Sequence, residues 1–158
     1  MGFFQRLFGT QNLAPSHSSD ITAFHNLNNQ HIFPVLDTLY TNLQTLSVSL
    51  ETKRGEVPLL TWQNLAQHTE KLSDHRLNLD QQKAEIVNLS VKEYAQSLSQ
   101  ILPEIETSSR SILKKTEHVK GYRLLAVEER NYLLTQIQET KETISKLKDS
   151  WQSFKEKY

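Results

Sequence analysis

The sequence predicts an all-α protein, an elongated antiparallel bundle of three or four long amphipathic helices. Long stretches carry apolar residues at alternating spacings of three and four, the seam of helices that pack lengthwise, as in a coiled coil. The 158 residues include only 4 glycines and 4 prolines, which leaves few turn positions for a many-stranded sheet. The length suits one domain, and the absence of cysteine means that no disulfide stabilises it.

The charge and the composition of the chain indicate which partners and which compartment to expect. Eighteen basic residues balance eighteen acidic ones, so no long-range positive field attracts nucleic acid or anionic lipid. A chain without cysteine fits a reducing compartment. We find no signal-peptide pattern, and no run approaches the roughly 18 apolar residues of a spanning helix. We therefore expect a cytoplasmic protein that meets a membrane, if at all, at the membrane surface.

An N-terminal amphipathic segment is predicted at residues 1–9, followed by a flexible linker at 10–19 and the bundle domain at 20–158. One arc of the segment carries large apolar side chains: Phe3, Phe4, Leu7 and Phe8. Exposed phenylalanines are costly, so we expect a membrane surface, a partner protein or the chain's own bundle to cover this arc. Burying four such side chains yields several kcal/mol at about 25 cal/mol per Å², part of which helix ordering consumes.

The first long helix is expected to begin near Asp20 and to kink or restart near Phe33. Pro34 causes this interruption, since proline inside a helix removes a hydrogen bond and clashes one turn back, at about 3 kcal/mol. The seam around and beyond it is regular: Ile32, Leu36, Leu39, Leu43, Leu46 and Leu50. Gly55 can end this helix with a positive φ, and Pro58 can begin the next one.

The following helix carries a narrow apolar stripe, which is a candidate face for a partner helix. The stripe comprises Trp62, Leu65, Leu72, Leu79 and Ile86. Thr69, Arg76 and Lys83 occupy the interleaved seam positions. Because these side chains are polar, we expect the stripe to lie partly exposed.

Beyond the stripe the seam shifts by four extra residues, to Val87 and onwards. This shift indicates a continuous helix with a stutter, and a break near Asp80 or Ser90 is the alternative interpretation. Pro103 either kinks the helix or begins a new one. Gly121 is the expected turn before a last long helix that continues to the C-terminus. The seam of this helix, interrupted only by Thr140, comprises Leu133, Ile137, Ile144, Leu147, Trp151, Phe154 and Tyr158.

The sequence lacks the motifs of enzymes and metal sites. It contains no paired Glu-x-x-His, no Walker loop and no His-Glu-x-x-His. His68 and His75 are two turns apart, about 10 Å, too far to share one ion unless another helix supplies ligands. His31 and the remaining histidines show no ligand spacing. We therefore expect no catalytic residue, no metal ion, no cofactor and no enzymatic activity.

A weak basic cluster precedes and follows Gly121. It comprises Lys114, Lys115, Lys120 and Arg123. Such a cluster can contact phosphates, but Glu117, Glu128 and Glu129 flank it. A solvated helix face explains the same residues more simply, so nucleic acid is the least favoured partner.

The favoured functional hypothesis is a non-catalytic interaction protein: an adaptor, scaffold or small regulator. Its helical surfaces would bind a protein partner or a second copy, and residues 3–8 would contact a membrane. The alternative is a carrier or sensor that holds a small apolar ligand between helices, near Trp62 or Trp151. A nucleic-acid-binding helical protein is the third hypothesis.

Overall fold

Helices make up most of the chain in this computed structural model, which describes residues 15–52, 55–121 and 124–158. The helices are α1 (Pro15–Leu27), a π-helix (Asn28–Ile32), α2 (Phe33–Thr52), α3 (Leu59–Lys83), α4 (Leu89–Thr116) and α5 (Val127–Lys157). In these ranges the β-structure is limited to one antiparallel bridge between Glu56 and Leu124. The predicted all-α class is confirmed.

The helices α2, α3, α4 and α5 form the predicted antiparallel bundle. Short connections join consecutive helices, so each runs antiparallel to the next, and α5 packs against α2 to close the ring. With 31 residues, α5 is about 46 Å long at 1.5 Å per residue. We call the end with the α2–α3 and α4–α5 connections the loop end, and the opposite end the tail end.

A π-helix accommodates Pro34 within one continuous rod formed by α1, the π-helix and α2. The backbone N–H of Phe33 donates to the carbonyl of Asn28, five residues back instead of four. This wider turn directly precedes Pro34, whose ring would meet the carbonyl one turn back in a regular α-helix. The interruption predicted near Phe33 is thus a change of helix type.

The predicted seams form the core. The first seam is almost fully buried, with exposed fractions of 0 to 1%: Ile32, Leu36, Leu39, Leu43, Leu46 and Leu50. The last helix contributes a second buried seam: Leu133, Ile137, Ile144, Leu147, Trp151 and Phe154. Both patterns were visible in the sequence because spacings of three and four place side chains on one helical face.

An aromatic cluster fixes the tail end. The rings of Phe33 and Trp151 stack with centroids 5.6 Å apart, and those of Tyr94 and Phe154 stack at 4.3 Å. Phe24 meets Trp151 edge to face at 5.9 Å, a favourable geometry for aromatic rings. The cluster therefore joins α1 to α4 and α5.

The chain leaves the helix between α3 and α4, so the predicted continuous helix with a stutter is wrong. Residues 84–88 form the connection. The side chain of Asn88 caps α4 by accepting a hydrogen bond from the Val91 N–H at 3.1 Å. Val87, which the sequence places on the shifted seam, is 71% exposed in this connection. Pro103 lies inside α4, which continues on both sides of it.

Two loops pair at the loop end. The N–H of Gly121 donates to the Val57 carbonyl at 2.7 Å, and the N–H of Leu125 donates to the Gly55 carbonyl at 3.1 Å. Gly55 has φ +91°, and a Cβ there would lie 2.9 Å from the Leu125 carbonyl oxygen. The turn predicted at Gly121 is confirmed, with φ +83°. Because of this pairing, α5 begins only at Val127.

Candidate functional site

Two of the three polar seam residues of α3, Arg76 and Lys83, have partners on α4, whereas Thr69 Oγ1 donates to the Leu65 carbonyl of its own helix. Arg76 Nε donates to Glu106 Oε2 at 2.5 Å, and Arg76 Nη2 donates to Oε1 at 3.3 Å. The Glu106 side chain is 3% exposed, and its hydrogen bond raises the pKa of the Arg76 guanidinium. Two turns further on, Lys83 Nζ donates to Ser99 Oγ at 3.0 Å. These pairs let α3 and α4 close on each other despite their polar seam residues.

Four of the five residues of the predicted stripe are buried, so the expectation that it lies partly exposed holds only for the half-buried Trp62. Leu65, Leu72 and Leu79 are completely buried, and Ile86 is 2% exposed. In this structure α2 and α4 of the same chain cover the stripe. Glu106 was not identified from the sequence, although an arginine at a seam position of one helix indicates an acidic partner on a neighbouring helix.

The largest exposed apolar side chains near the pairing loops define what we call the loop-end patch. Its members, with their exposed fractions, are Leu59 (45%), Leu60 (69%), Leu124 (53%), Val127 (58%) and Tyr132 (60%). The two connections bring these residues to the same end, since Leu124 bridges Glu56 and the Leu59 side chain lies against Gly121. The patch therefore combines residues of α3, α5 and the α4–α5 connection.

A groove of about 450 Å³ adjoins this patch between α4 and α5. It is mostly apolar and is lined by Lys115, His118, Leu125, Glu128, Glu129, Tyr132 and Leu133. Lys115 and His118 come from the end of α4 and the turn that follows it, and the two glutamates come from the start of α5. The loop end thus combines an apolar floor with a rim that carries both signs of charge.

The described lysines of the basic cluster do not share one face of the bundle. Lys115 Nζ lies 4.1 Å from the centroid of the Tyr132 ring, whereas Lys120 Nζ lies 4.4 Å from that of Trp62, on α3. Lys114 is exposed, and Arg123 lies outside the described residues. The described lysines are therefore divided between two sides of α4, where cation–π contacts already engage two of them.

Both tryptophans are packed within the bundle. Trp62 is half-buried, and its Nε1–H lies 3.2 Å from the Leu113 carbonyl and 3.1 Å from Thr116 Oγ1. Trp151 is 3% exposed, with its Nε1–H donated to Asn29 Oδ1 at 3.0 Å. Aromatic rings surround Trp151, so the space beside it is filled by the protein itself.

A second groove, of about 390 Å³, brings three histidines together. We call it the histidine groove, and it is lined by Gln30, His31, Pro34, Val35, Thr38, His68, Lys71 and His75. The rings of His31 and His75 have centroids 4.9 Å apart. Burial lowers the pKa of His75, and His31 and Lys71 lower it further, while Asp74 acts in the opposite direction. From the sequence, His68 was paired with His75 and the contact of His31 was not recognised, because the π-helix determines where His31 points.

The N-terminal segment, with Phe3, Phe4, Leu7 and Phe8, lies outside the described residues. The described chain begins with α1 at the tail end, where Phe24 contacts the last turns of α5. None of the described helices is both long and apolar enough to cross a membrane. Nor do the described residues bring three or more His, Cys, Asp or Glu side chains to one potential metal position.

Comparison of the chain with protein-family models, curated proteins and solved structures found no match.

Proposed function

We propose that this chain is a non-catalytic interaction protein that pairs with a second copy through its loop-end patch and contacts a membrane surface through residues 3–8. The loop-end patch is the observation that supports the pairing. Its five large apolar side chains are 45 to 69% exposed at one end of the bundle. Exposed apolar patches of roughly 300–600 Å² are often functional in soluble proteins, and larger ones mark interaction sites.

The residue types in the patch suit a protein interface. Tyr132 is 60% exposed beside an apolar groove, and tyrosine is among the residues that contribute most to binding when they are buried between partners. Leu60, the most exposed leucine of the patch at 69%, has the most to gain from a covering surface. An interface centred here would bury both side chains.

The charges around the groove favour a second copy as the partner. Lys115 and His118 line one side, and Glu128 and Glu129 line the same groove from α5. In a two-fold dimer the same surface faces itself, so each copy can place its acidic side against the basic side of the other. A patch with one sign of charge would repel itself. The zero formal net charge of the whole chain adds no general repulsion between copies.

Sedimentation equilibrium of the full chain tests this pairing. We expect a mass approaching twice the 18.3 kDa of one chain as the concentration is raised. Leu60→Lys should shift the protein toward the monomer, because it places a charge in the patch. Leu77→Lys is the matched control, since Leu77 is 51% exposed but lies toward the tail end. A wild-type protein that stays monomeric at every concentration would exclude the proposed dimer.

Membrane contact through residues 3–8 is compatible with this pairing, because the N-terminal segment joins the bundle at the tail end. About 46 Å of helix separates the two ends. A dimer formed at the loop end would therefore leave both N-terminal segments accessible.

Cosedimentation with anionic and neutral liposomes tests the membrane contact. We expect the full chain to sediment with liposomes and the full-length Phe4→Ser/Phe8→Ser variant to remain in solution. Gln5→Ser, on the polar arc of the segment, should behave like the wild type. If the wild type also stays in solution, residues 3–8 have another binding surface, and the membrane half of the proposal fails independently of the dimer.

A further inference from the structure

The histidine groove lies where the π-helix faces α3. His31 is on the π-helix, and His75 is on α3. Their rings are tilted by 35° with centroids 4.9 Å apart, so two imidazoles from different helices meet at the protein surface. Two neighbouring imidazoles are ligands suited to zinc, nickel and copper ions.

The ring spacing matches the geometry of two imidazoles on one ion. A Zn–N bond of about 2.0–2.1 Å, extended by about 1.1 Å to the middle of the ring, puts each centroid about 3.2 Å from the metal. At ligand–metal–ligand angles between 90° and 109°, the two centroids then lie about 4.5–5.2 Å apart. The observed 4.9 Å falls within this interval, so the ring spacing permits both side chains to share one ion once a ring nitrogen of each turns toward it.

The surroundings of His75 include one ring nitrogen without a partner and two charged neighbours. Its Nδ1 is buried with no hydrogen-bond partner in the described part of the chain. Lys71 would repel a cation here, and Asp74 would attract one.

His68 lies in the same groove and is bonded to the backbone of its own helix. Its Nδ1 lies 2.8 Å from the Asn64 carbonyl oxygen, which can only accept a hydrogen bond, so Nδ1 is the donor. His68 is nevertheless two turns, about 10 Å, from His75 along α3, so it does not share an ion with that residue in this arrangement.

We propose that His31 and His75 bind one divalent transition-metal ion across the gap between the π-helix and α3, with water completing its coordination. The site joins the rod of α1, the π-helix and α2 to α3, so the bound ion stabilises the tail half of the bundle. Two protein ligands give a weaker site than the four of a structural zinc centre. This inference is independent of the proposed pairing and membrane contact.

Thermal unfolding of the full chain with Ni²⁺ at pH 7.5 tests the proposal. We expect the ion to raise Tm by a few degrees, because a ligand that binds only the folded state stabilises it, and we expect EDTA to reverse the rise. His31→Asn and His75→Asn should each abolish the rise. His118→Asn, at the loop end, is the matched control and should retain it. Tm values in EDTA show that each variant is folded.

Proton NMR with paramagnetic Ni²⁺ gives a second readout that does not depend on stability. The ring signals of His31 and His75 should broaden first among the 6 histidines of the chain. Broadening that starts elsewhere, or a Tm rise that persists in both variants, would overturn the assignment. A rise with inorganic phosphate at pH 6 but none with Ni²⁺ would show an anion site formed by protonated histidines and Lys71.

Discussion

Glu106 is a carboxylate with a 3% exposed side chain, and two arginines are its partners. Arg76 contacts it from α3 at 2.5 Å, and Arg110, one turn further along α4, contacts it at 3.5 Å. Taking a charge out of water costs several kcal/mol unless close partners replace the lost hydration. The stability of the contact between α3 and α4 therefore depends on keeping this group complete.

Arg76→Met should destabilise the protein by about 3–5 kcal/mol, because it leaves the buried Glu106 carboxylate with only the longer contact to Arg110. Urea unfolding followed by circular dichroism measures the loss. Arg76→Met/Glu106→Leu should recover most of it, since no uncompensated charge remains. Lys148→Met provides the control: its ion pair with Asp37 is short, at 2.6 Å, but both side chains are about half exposed. Removing it should cost less than about 1 kcal/mol.

Two histidines should make the free energy of unfolding depend on pH just below pH 7. Burial lowers the pKa of both His25 and His75, and Lys155 contributes at His25. In the unfolded chain these residues bind protons near their ordinary pKa of about 6.5, whereas the folded protein resists protonation. The free energy of unfolding should therefore be constant above this pH and fall as the pH is lowered through it.

Urea midpoints between pH 7.5 and 5.5 measure this dependence. We expect the midpoint to decrease toward acid in the wild type and to decrease much less in His25→Gln/His75→Gln. Equal slopes in both proteins would mean that other groups cause the change.

The burial of some residues could be predicted from the sequence, whereas the contacts of others between helices could not. Leu36 and Leu39 were predicted to be buried because a local spacing places them on one helical face. The contact of His31 with His75, and that of Arg76 with Glu106, depend on the rotation of one helix relative to another. A π-helix changes this rotation by inserting one residue into a turn, and apart from Pro34 no local signal announced it.

The side chain that caps the start of α4 is not the one that the sequence pattern indicates. Ser90 with Glu93 has the pattern of a capping box, but the structure starts the helix earlier, and Asn88 Oδ1 accepts from the Val91 N–H. The connection before it contains no glycine or proline, which is why a continuous helix with a stutter fitted the sequence.

Asn88→Ala should destabilise the protein by about 1 kcal/mol, because the first turn of α4 loses a hydrogen-bond acceptor. Ser90→Ala, two residues on, should change stability by less than about 0.5 kcal/mol. Thermal unfolding of both variants compares them directly. A larger loss for Ser90→Ala would place the functional cap inside the helix and contradict this start of α4.

On the scale of the whole molecule, the two ends differ in kind. Aromatic rings pack the tail end, where Leu77, Val87 and Leu89 are also exposed, whereas the loop end exposes leucines beside a groove with both signs of charge. The bundle and its antiparallel order followed from the helical seams. The loop-end patch did not, because the pairing of two connections far apart in the sequence creates it.

Single-cysteine crosslinking tests the central claim, that the loop-end patch joins two copies. The chain contains no cysteine, so Leu60→Cys, Tyr132→Cys and Leu77→Cys each introduce a unique thiol. With a short bismaleimide we expect rapid formation of a covalent dimer for the two loop-end variants and little for Leu77→Cys. Equal rates at the three positions, or no dimer at Leu60 and Tyr132, would contradict an interface at the loop end.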